Sequence, residues 1–129
     1  MTDKETVRKF FLDGYVNQNF ERLHEIMAED YLDHSPCHAT SCDECIAALR
    51  NTAEGFSDME IEIRDMIEED GKVAARIYFS CIHTGGYSIP ATGNRVGFEA
   101  LEIFRLEDGL IVESWGYWPN TDIVRQIEA

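Results

Sequence analysis

Basic side chains are scarce in this sequence: 11 Lys and Arg stand against 25 Asp and Glu in 129 residues, a formal net charge of −14 at neutral pH. Nucleic-acid affinity rests on Lys and Arg neutralising phosphates, so a body of this charge is repelled by DNA, RNA and anionic membranes. Also missing is any apolar run of about 18 residues, the length that a spanning helix needs. The N-terminal Met1-Thr2-Asp3-Lys4-Glu5 lacks the basic-then-apolar order of a signal peptide, which predicts a cytoplasmic location. No internal repeat, low-complexity tract or linker divides the chain, so residues 1–129 are read as one domain. The apolar content is sufficient for folding: 44% hydrophobic and 11% aromatic residues set the chain apart from a disordered acidic tail. Composition alone thus predicts a soluble domain whose partner is small or uncharged.

The first half has a helical period. Thr2 and Glu5 have the spacing of a capping box, and Val7, Phe10, Phe11, Gly14 and Tyr15 then recur on one helical face. A second, shorter helix is predicted after Asn19, burying Phe20, Leu23 and Met27. A third begins at Ser41, where Ser41 and Glu44 repeat the box and Ile46, Leu49 and Ala53 form the inner face.

The second half changes to period two. Ile61, Ile63, Asp65 and Ile67 alternate with Glu60, Glu62, Arg64 and Met66, as in a half-exposed strand. Asp70-Gly71 and Asp108-Gly109 are tight-hairpin pairs, separating strands at Val73–His83, Arg95–Leu106 and Leu110–Trp118. A closing helical turn over 122–127 has Ile123, Val124 and Ile127 to bury. Helices followed by a meander of long antiparallel strands predict an α+β fold. Strands of this length bend, so the expected architecture is a cone-shaped curved antiparallel sheet, wrapped by three N-terminal helices and enclosing a pocket.

Several segments, in order, carry a family resemblance. They are Tyr31-Leu32-Asp33-His34-Ser35-Pro36, the run from Glu69 to Arg76, His83-Thr84-Gly85, Ala91-Thr92-Gly93, Glu102-Ile103-Phe104-Arg105 and the run from Asp108 to Trp115. In these the sequence resembles the SnoaL-like polyketide cyclases (ester cyclases) of the nuclear transport factor 2-like superfamily. The resemblance implies a cystatin-like α+β roll, a small hydrophobic partner, a homodimer and no cofactor. It also implies an intramolecular aldol closure or related isomerase or hydratase chemistry. A proton leaves the carbon beside a carbonyl, and the enolate is stabilised in a pocket that excludes water. Because this fold hosts enzymes and binding proteins alike, a non-catalytic ligand-binding or dimerisation module stands as the alternative.

The resemblance carries over to His83, whose counterpart faces the pocket as donor or proton carrier; a strand-end histidine bonded to a loop carbonyl is the other reading. His34, just after a short strand, is a second pocket candidate or simply a loop residue. The family's catalytic Asp lies four residues beyond the Trp of the last strand, and counting from Trp115 gives Pro119, which has no titratable side chain. Asp122 is the first carboxylate beyond it, either a displaced base or a first-turn helix residue beside an Asn120 or Thr121 cap. Among strand carboxylates, Glu102 shares a face with Phe98, Ala100 and Phe104, whereas Glu99 faces the other way. A carboxylate in that apolar company would be shifted up as a general base requires, unless it instead pairs with Arg76 or Arg105 outside. Lining candidates are Phe79, Cys81, Phe98, Phe104, Trp115 and Trp118, with Tyr117 near them. For a dimer contact, the outward alternation of Tyr78 and Ile82 is the guide.

Cys37, Cys42 and Cys45, with His34 and His38 beside them, contain enough soft ligands for a zinc site. Packing all of them into one short segment argues against it, and no metal is assigned. A disulfide or simple packing are the other readings of the cluster. Cys42 at a helix start would have a lowered thiol pKa, which leaves a metal- or redox-sensing domain as a third functional reading.

Overall fold

The computed structural model describes residues 1–129. Helix α1 spans Asp3–Phe11 and runs into a π-helical turn at Leu12–Val16. The predicted capping box forms: the Thr2 hydroxyl accepts from the Glu5 N–H at 3.1 Å, and the Glu5 carboxylate accepts from the Thr2 N–H at 3.3 Å. Asp3 and Glu5 in the first turn and Arg8 and Lys9 in the last complement the helix dipole. Val7, Phe10, Phe11 and Gly14 are buried as the period requires. At Gly14 an added Cβ would lie 3.2 Å from Leu49 Cδ1, so the glycine lets the second helix approach closely.

The predicted second helix is instead a short 3-10 segment, Phe20–Glu25, and Met27 opens strand β1 (Met27–Asp33). Phe20 and Leu23 are buried as expected, but Met27 is buried through sheet pairing and not on a helical stripe. Helix α2 covers Cys42–Gly55 and is capped by Ser41, whose hydroxyl accepts from the Glu44 N–H. The reciprocal half differs from the prediction, because the Glu44 carboxylate turns to the N–H and hydroxyl of Thr40.

Four strands follow: β2 (Phe56–Glu69), β3 (Lys72–His83), β4 (Arg95–Glu107) and β5 (Leu110–Tyr117). The sheet order is β1-β5-β4-β3-β2. The meander from β2 to β5 is antiparallel as predicted, but the edge strand β1 joins β5 in parallel. Positive φ at Asp70 and Gly71 (52° and 74°) and at Asp108 and Gly109 (50° and 81°) fits tight mirror-image turns, which match the strand twist. A bulge breaks the β2 alternation: Ile63 pairs Ile77 but Asp65 pairs Arg76, leaving Arg64 as the extra residue. The phase flips there, so Met66 turns inward and Ile67 becomes 66% exposed.

Helix α3 (Asn120–Glu128) closes the chain. Its N-cap is Pro119, not Asn120 or Thr121, and no side chain caps it. Ile123 and Ile127 are fully buried, and two side chains hold the helix to β4. The Gln126 amide exchanges hydrogen bonds with Gly97 N–H and C=O, and Asn94 donates to the carbonyls of Ile127 and Ala129. One core of 28 buried residues fills the concave side, with Phe11, Phe79 and Phe104 at its centre. No helix is long and apolar enough to cross a membrane.

Candidate functional site

The concave face of the sheet and the inner faces of α1 and α2 leave a cavity of about 250 Å³. Its apolar wall is built from Phe10 of α1, Tyr15 of the π turn, Leu49 of α2 and Trp118 beyond β5. Its polar groups are Tyr31 and Asp33 of β1, Glu102 of β4 and Ser114 of β5, with Ser35, Cys37, Thr52 and Asn120 towards solvent. No Lys, Arg or His lines it.

Glu102 is the buried carboxylate of this cavity, 9% exposed, on the face of β4 that also buries Phe98, Ala100 and Phe104. It does not pair with the nearby arginines: Arg76 binds Asp65 and Glu99, and Arg105 binds Glu107 and Glu113. Burial pushes its carboxyl up to about 7, the Trp118 indole opposes that shift, and the negative charge of Asp33 adds to it. Gly116 on β5 stands opposite Glu102 in the register, and a Cβ there would lie 2.9 Å from Glu102 Cγ. A side chain at position 116 would therefore occupy the space that the glutamate uses.

Three further polar groups surround it. Burial, aided by the Glu102 charge, holds the Tyr15 hydroxyl well above the usual phenol range, so it stays a neutral O–H donor. The Tyr31 and Ser114 hydroxyls share a 2.5 Å hydrogen bond, and burial likewise raises Tyr31. Asp33 is fixed by Ser35, accepting from its N–H at 2.8 Å and its hydroxyl at 2.7 Å. Tyr15, Tyr31 and Asp33 escaped sequence reasoning as site residues, although Tyr31 and Asp33 stand in the first matching segment of the resemblance. The missing signal was the parallel pairing of β1 with β5, which brings Tyr31 beside Ser114.

The other sequence candidates are dispersed. His83 is fully buried at the end of β3 but outside the cavity lining. Its Nε2–H donates to the Gly86 carbonyl at 2.8 Å and its Nδ1 accepts from the Thr92 N–H at 3.2 Å, the strand-end arrangement. His34 also lies outside the lining; its ring stacks on Trp115 with centroids 4.8 Å apart and pairs with Glu113 at 2.6 Å. Glu113, held by His34 and Arg105, stays below the usual carboxylate range. The Asp122 carboxylate faces outward from the first turn of α3, accepting from Arg125 and from Gln126.

Among the lining candidates Trp118 does line the cavity, while Phe79, Cys81, Phe98 and Phe104 form the packed core beside it. Phe79 stacks on Phe98 at 5.1 Å, and both rings tilt against Trp118. Trp115 is on the opposite face of the sheet, because Ser114 and Gly116 take the inward positions of β5. Tyr117 alternates outward with it and is 64% exposed. The convex face thus presents Ile67, Leu101, Ile103 and Tyr117, whereas Tyr78 is half-buried beneath Arg64.

The cysteine cluster is not gathered into a ligand set. All four cysteines are free, and no three His, Cys, Asp or Glu side chains, including Cys37, Cys42, Cys45 and His38, converge as a metal site would need. The expected dipole activation of Cys42 is also corrected: burial, then the neighbouring Asp43, pushes its thiol up to about 11.

Comparison with known proteins agrees with this architecture. Structures aligning over nearly the whole chain include IdmH, a proposed polyketide cyclase of Streptomyces antibioticus (22% identity, 100% of both chains, TM-score 0.87). Another is TsrD of Streptomyces laurentii, at 27% identity over 98% of both chains and a TM-score of 0.86. A proposed SnoaL-like polyketide cyclase of Jannaschia sp. CCS1 aligns at 20% identity over 98% of this chain and 92% of its own, with a TM-score of 0.89. Among curated proteins, none matches the sequence. The profile of the SnoaL-like polyketide cyclase family matches residues 5–127, and the chain belongs to that family.

Proposed function

We propose that this protein carries out cofactor-independent acid/base chemistry on a small hydrophobic carbonyl compound, with Glu102 as the proton carrier. The observation that carries this reading is the position of Glu102. It is a buried carboxyl that no lysine or arginine pairs, in a cavity with an aromatic wall, and burial raises it to about 7, where a general acid or base works best. Removing a proton beside a carbonyl develops negative charge on the oxygen, and the neutral Tyr15 hydroxyl is a donor suited to stabilise it. The Phe10, Leu49 and Trp118 wall supplies the water-poor surroundings in which such a hydrogen bond is strongest.

The alternative of a non-catalytic binding module is favoured by one observation: Pro119 stands where the family's Asp is counted, and Asp122 turns away from the cavity. One experiment separates the two. The protein is incubated with 2-tetralone in deuterium oxide at pH 7, and loss of the α-proton signals is followed by NMR. Acceleration over buffer that drops at least about a hundredfold in Glu102→Gln supports the enzyme. Tetralone bound with no acceleration would leave only the binding module.

We also propose a homodimer through the convex face of the sheet, where Ile67, Leu101, Ile103 and Tyr117 are exposed together beside Trp115. An apolar group of this kind on a soluble protein marks an interaction surface.

A further inference from the structure

The charge balance inside the cavity is lopsided. Asp33 and Glu102 both line it, four aromatic side chains (Phe10, Tyr15, Tyr31 and Trp118) surround them, and no cationic side chain is present. The ion pairs of the molecule lie elsewhere, on the outer surface and the convex face. We infer that the natural ligand is a compact organic cation, a hydrophobic carbonyl compound carrying a protonated amine, with the ammonium anchored at Asp33 and the apolar body among the aromatic rings. This rests on the same cavity being the site of the proposed acid/base chemistry.

Four physical points converge on it. Asp33 is held rigid by the Ser35 N–H and hydroxyl and has acceptor capacity left over, as an anchoring group needs. An ammonium near aromatic faces gains from the ring quadrupole, and more so when water is excluded. The negative field of Asp33 reaches Tyr15, Tyr31, Cys37, Cys45 and Glu102, and at each it disfavours a second negative charge. A carboxylate or phosphate ligand would meet that same repulsion with no Lys or Arg to answer it, and the overall charge of −14 steers cations inward and anions away.

The proposal has a proton signature. The groups facing Glu102 are Asp33 and Tyr31 from β1, Tyr15 from the π turn, Cys45 from α2 and the neutral Trp118 indole. A cation at Asp33 offsets the negative field that raises Glu102 and so favours the ionised carboxylate. Binding then expels the Glu102 proton, and affinity rises with pH through neutrality until the amine itself deprotonates.

The test is isothermal titration calorimetry at pH 7 with two bicyclic probes of matched shape, 2-aminotetralin and the uncharged 2-tetralol. The amine should bind at least tenfold tighter than the alcohol, and Asp33→Asn should reduce that preference to threefold or less. Heats measured in buffers of different ionisation enthalpy should show proton release for the amine and none for the alcohol; should Asp33→Asn fail to fold, this wild-type measurement decides. An alcohol that binds as tightly as the amine, or an amine that binds without releasing a proton, would overturn the inference. It would leave the acid/base reading standing wherever tetralone exchange still depends on Glu102. If neither probe binds, the cavity is not the ligand site and both proposals fall.

Discussion

Replacing Glu102 by Gln should stabilise the protein at neutral and alkaline pH and leave it nearly unchanged below about pH 4. The glutamine keeps the shape and neutrality of the protonated carboxyl but cannot ionise. In the folded protein Glu102 holds its proton up to about 7, against an ordinary value of 4.5. The folded state therefore binds more protons than the unfolded state between those two values, and wild-type stability falls as pH rises across that window. Below it both states are protonated and the group contributes nothing; above it the full penalty of a buried unpaired carboxylate is present. The difference between the two values corresponds to roughly 3 kcal/mol at about 1.4 kcal/mol per pH unit. For a chain of this size that is roughly 10 °C in melting temperature, taking about 3 °C per kcal/mol. Thermal melts of wild type and E102Q followed by circular dichroism from about pH 3.5 to 9 should coincide below about pH 4, diverge between about 4.5 and 7, and keep the full gap at higher pH, with the variant the more stable. A gap that is constant with pH, or one that widens as pH falls, would refute the argument that burial sets the behaviour of Glu102.

Gly116→Ala should displace the Glu102 side chain, since the new Cβ would sit 2.9 Å from its Cγ; a loss of about 1–3 kcal/mol in urea denaturation is expected, with weaker tetralone binding. Tyr31→Phe leaves the buried Ser114 hydroxyl without its partner, and equilibrium unfolding should show a loss of about 1–2 kcal/mol. Under native conditions at pH 7.5, iodoacetamide should label Cys37, which is exposed, and spare Cys42, Cys45 and Cys81, which are buried; peptide mass mapping reads this directly. Replacing both Leu101 and Tyr117 by Lys should convert a dimer to a monomer in light scattering while the far-ultraviolet circular dichroism of the fold is kept, because both side chains are more than 60% exposed in the single chain.

Local signals in the sequence carried over well. The α1 face, the Ser41 cap and the two Asp-Gly turns depend on neighbours within a few residues, and each formed. Period two along β4 also put Glu102 on the face of Phe98, Ala100 and Phe104, where it is buried and lines the cavity. What the sequence could not convey is set by distant partners. Strand β1 has weak strand character, with Glu29, Asp30 and Asp33 in seven residues, and it is a strand because it pairs with β5. The bulge at Arg64 comes from the β2–β3 register, so strict alternation placed Ile67 on the wrong side. Trp115 looked like a lining residue by its aromatic character, but the small Ser114 and Gly116 take the inward positions and leave room for Tyr31 and Glu102. His83 matched a motif, yet its ring nitrogens serve the loop from Gly86 to Thr92.

The most direct test of the account is a titration of the Glu102 side-chain carboxyl itself, followed by carbon-13 NMR in the ligand-free protein and assigned with E102Q. A midpoint close to 7 is the predicted result, because burial, with the negative charge of Asp33 added, opposes ionisation there by more than the Trp118 indole favours it. A midpoint in the ordinary glutamate range, near 4.5, would mean that the cavity solvates the carboxylate, and the proton-carrier role would fall with it.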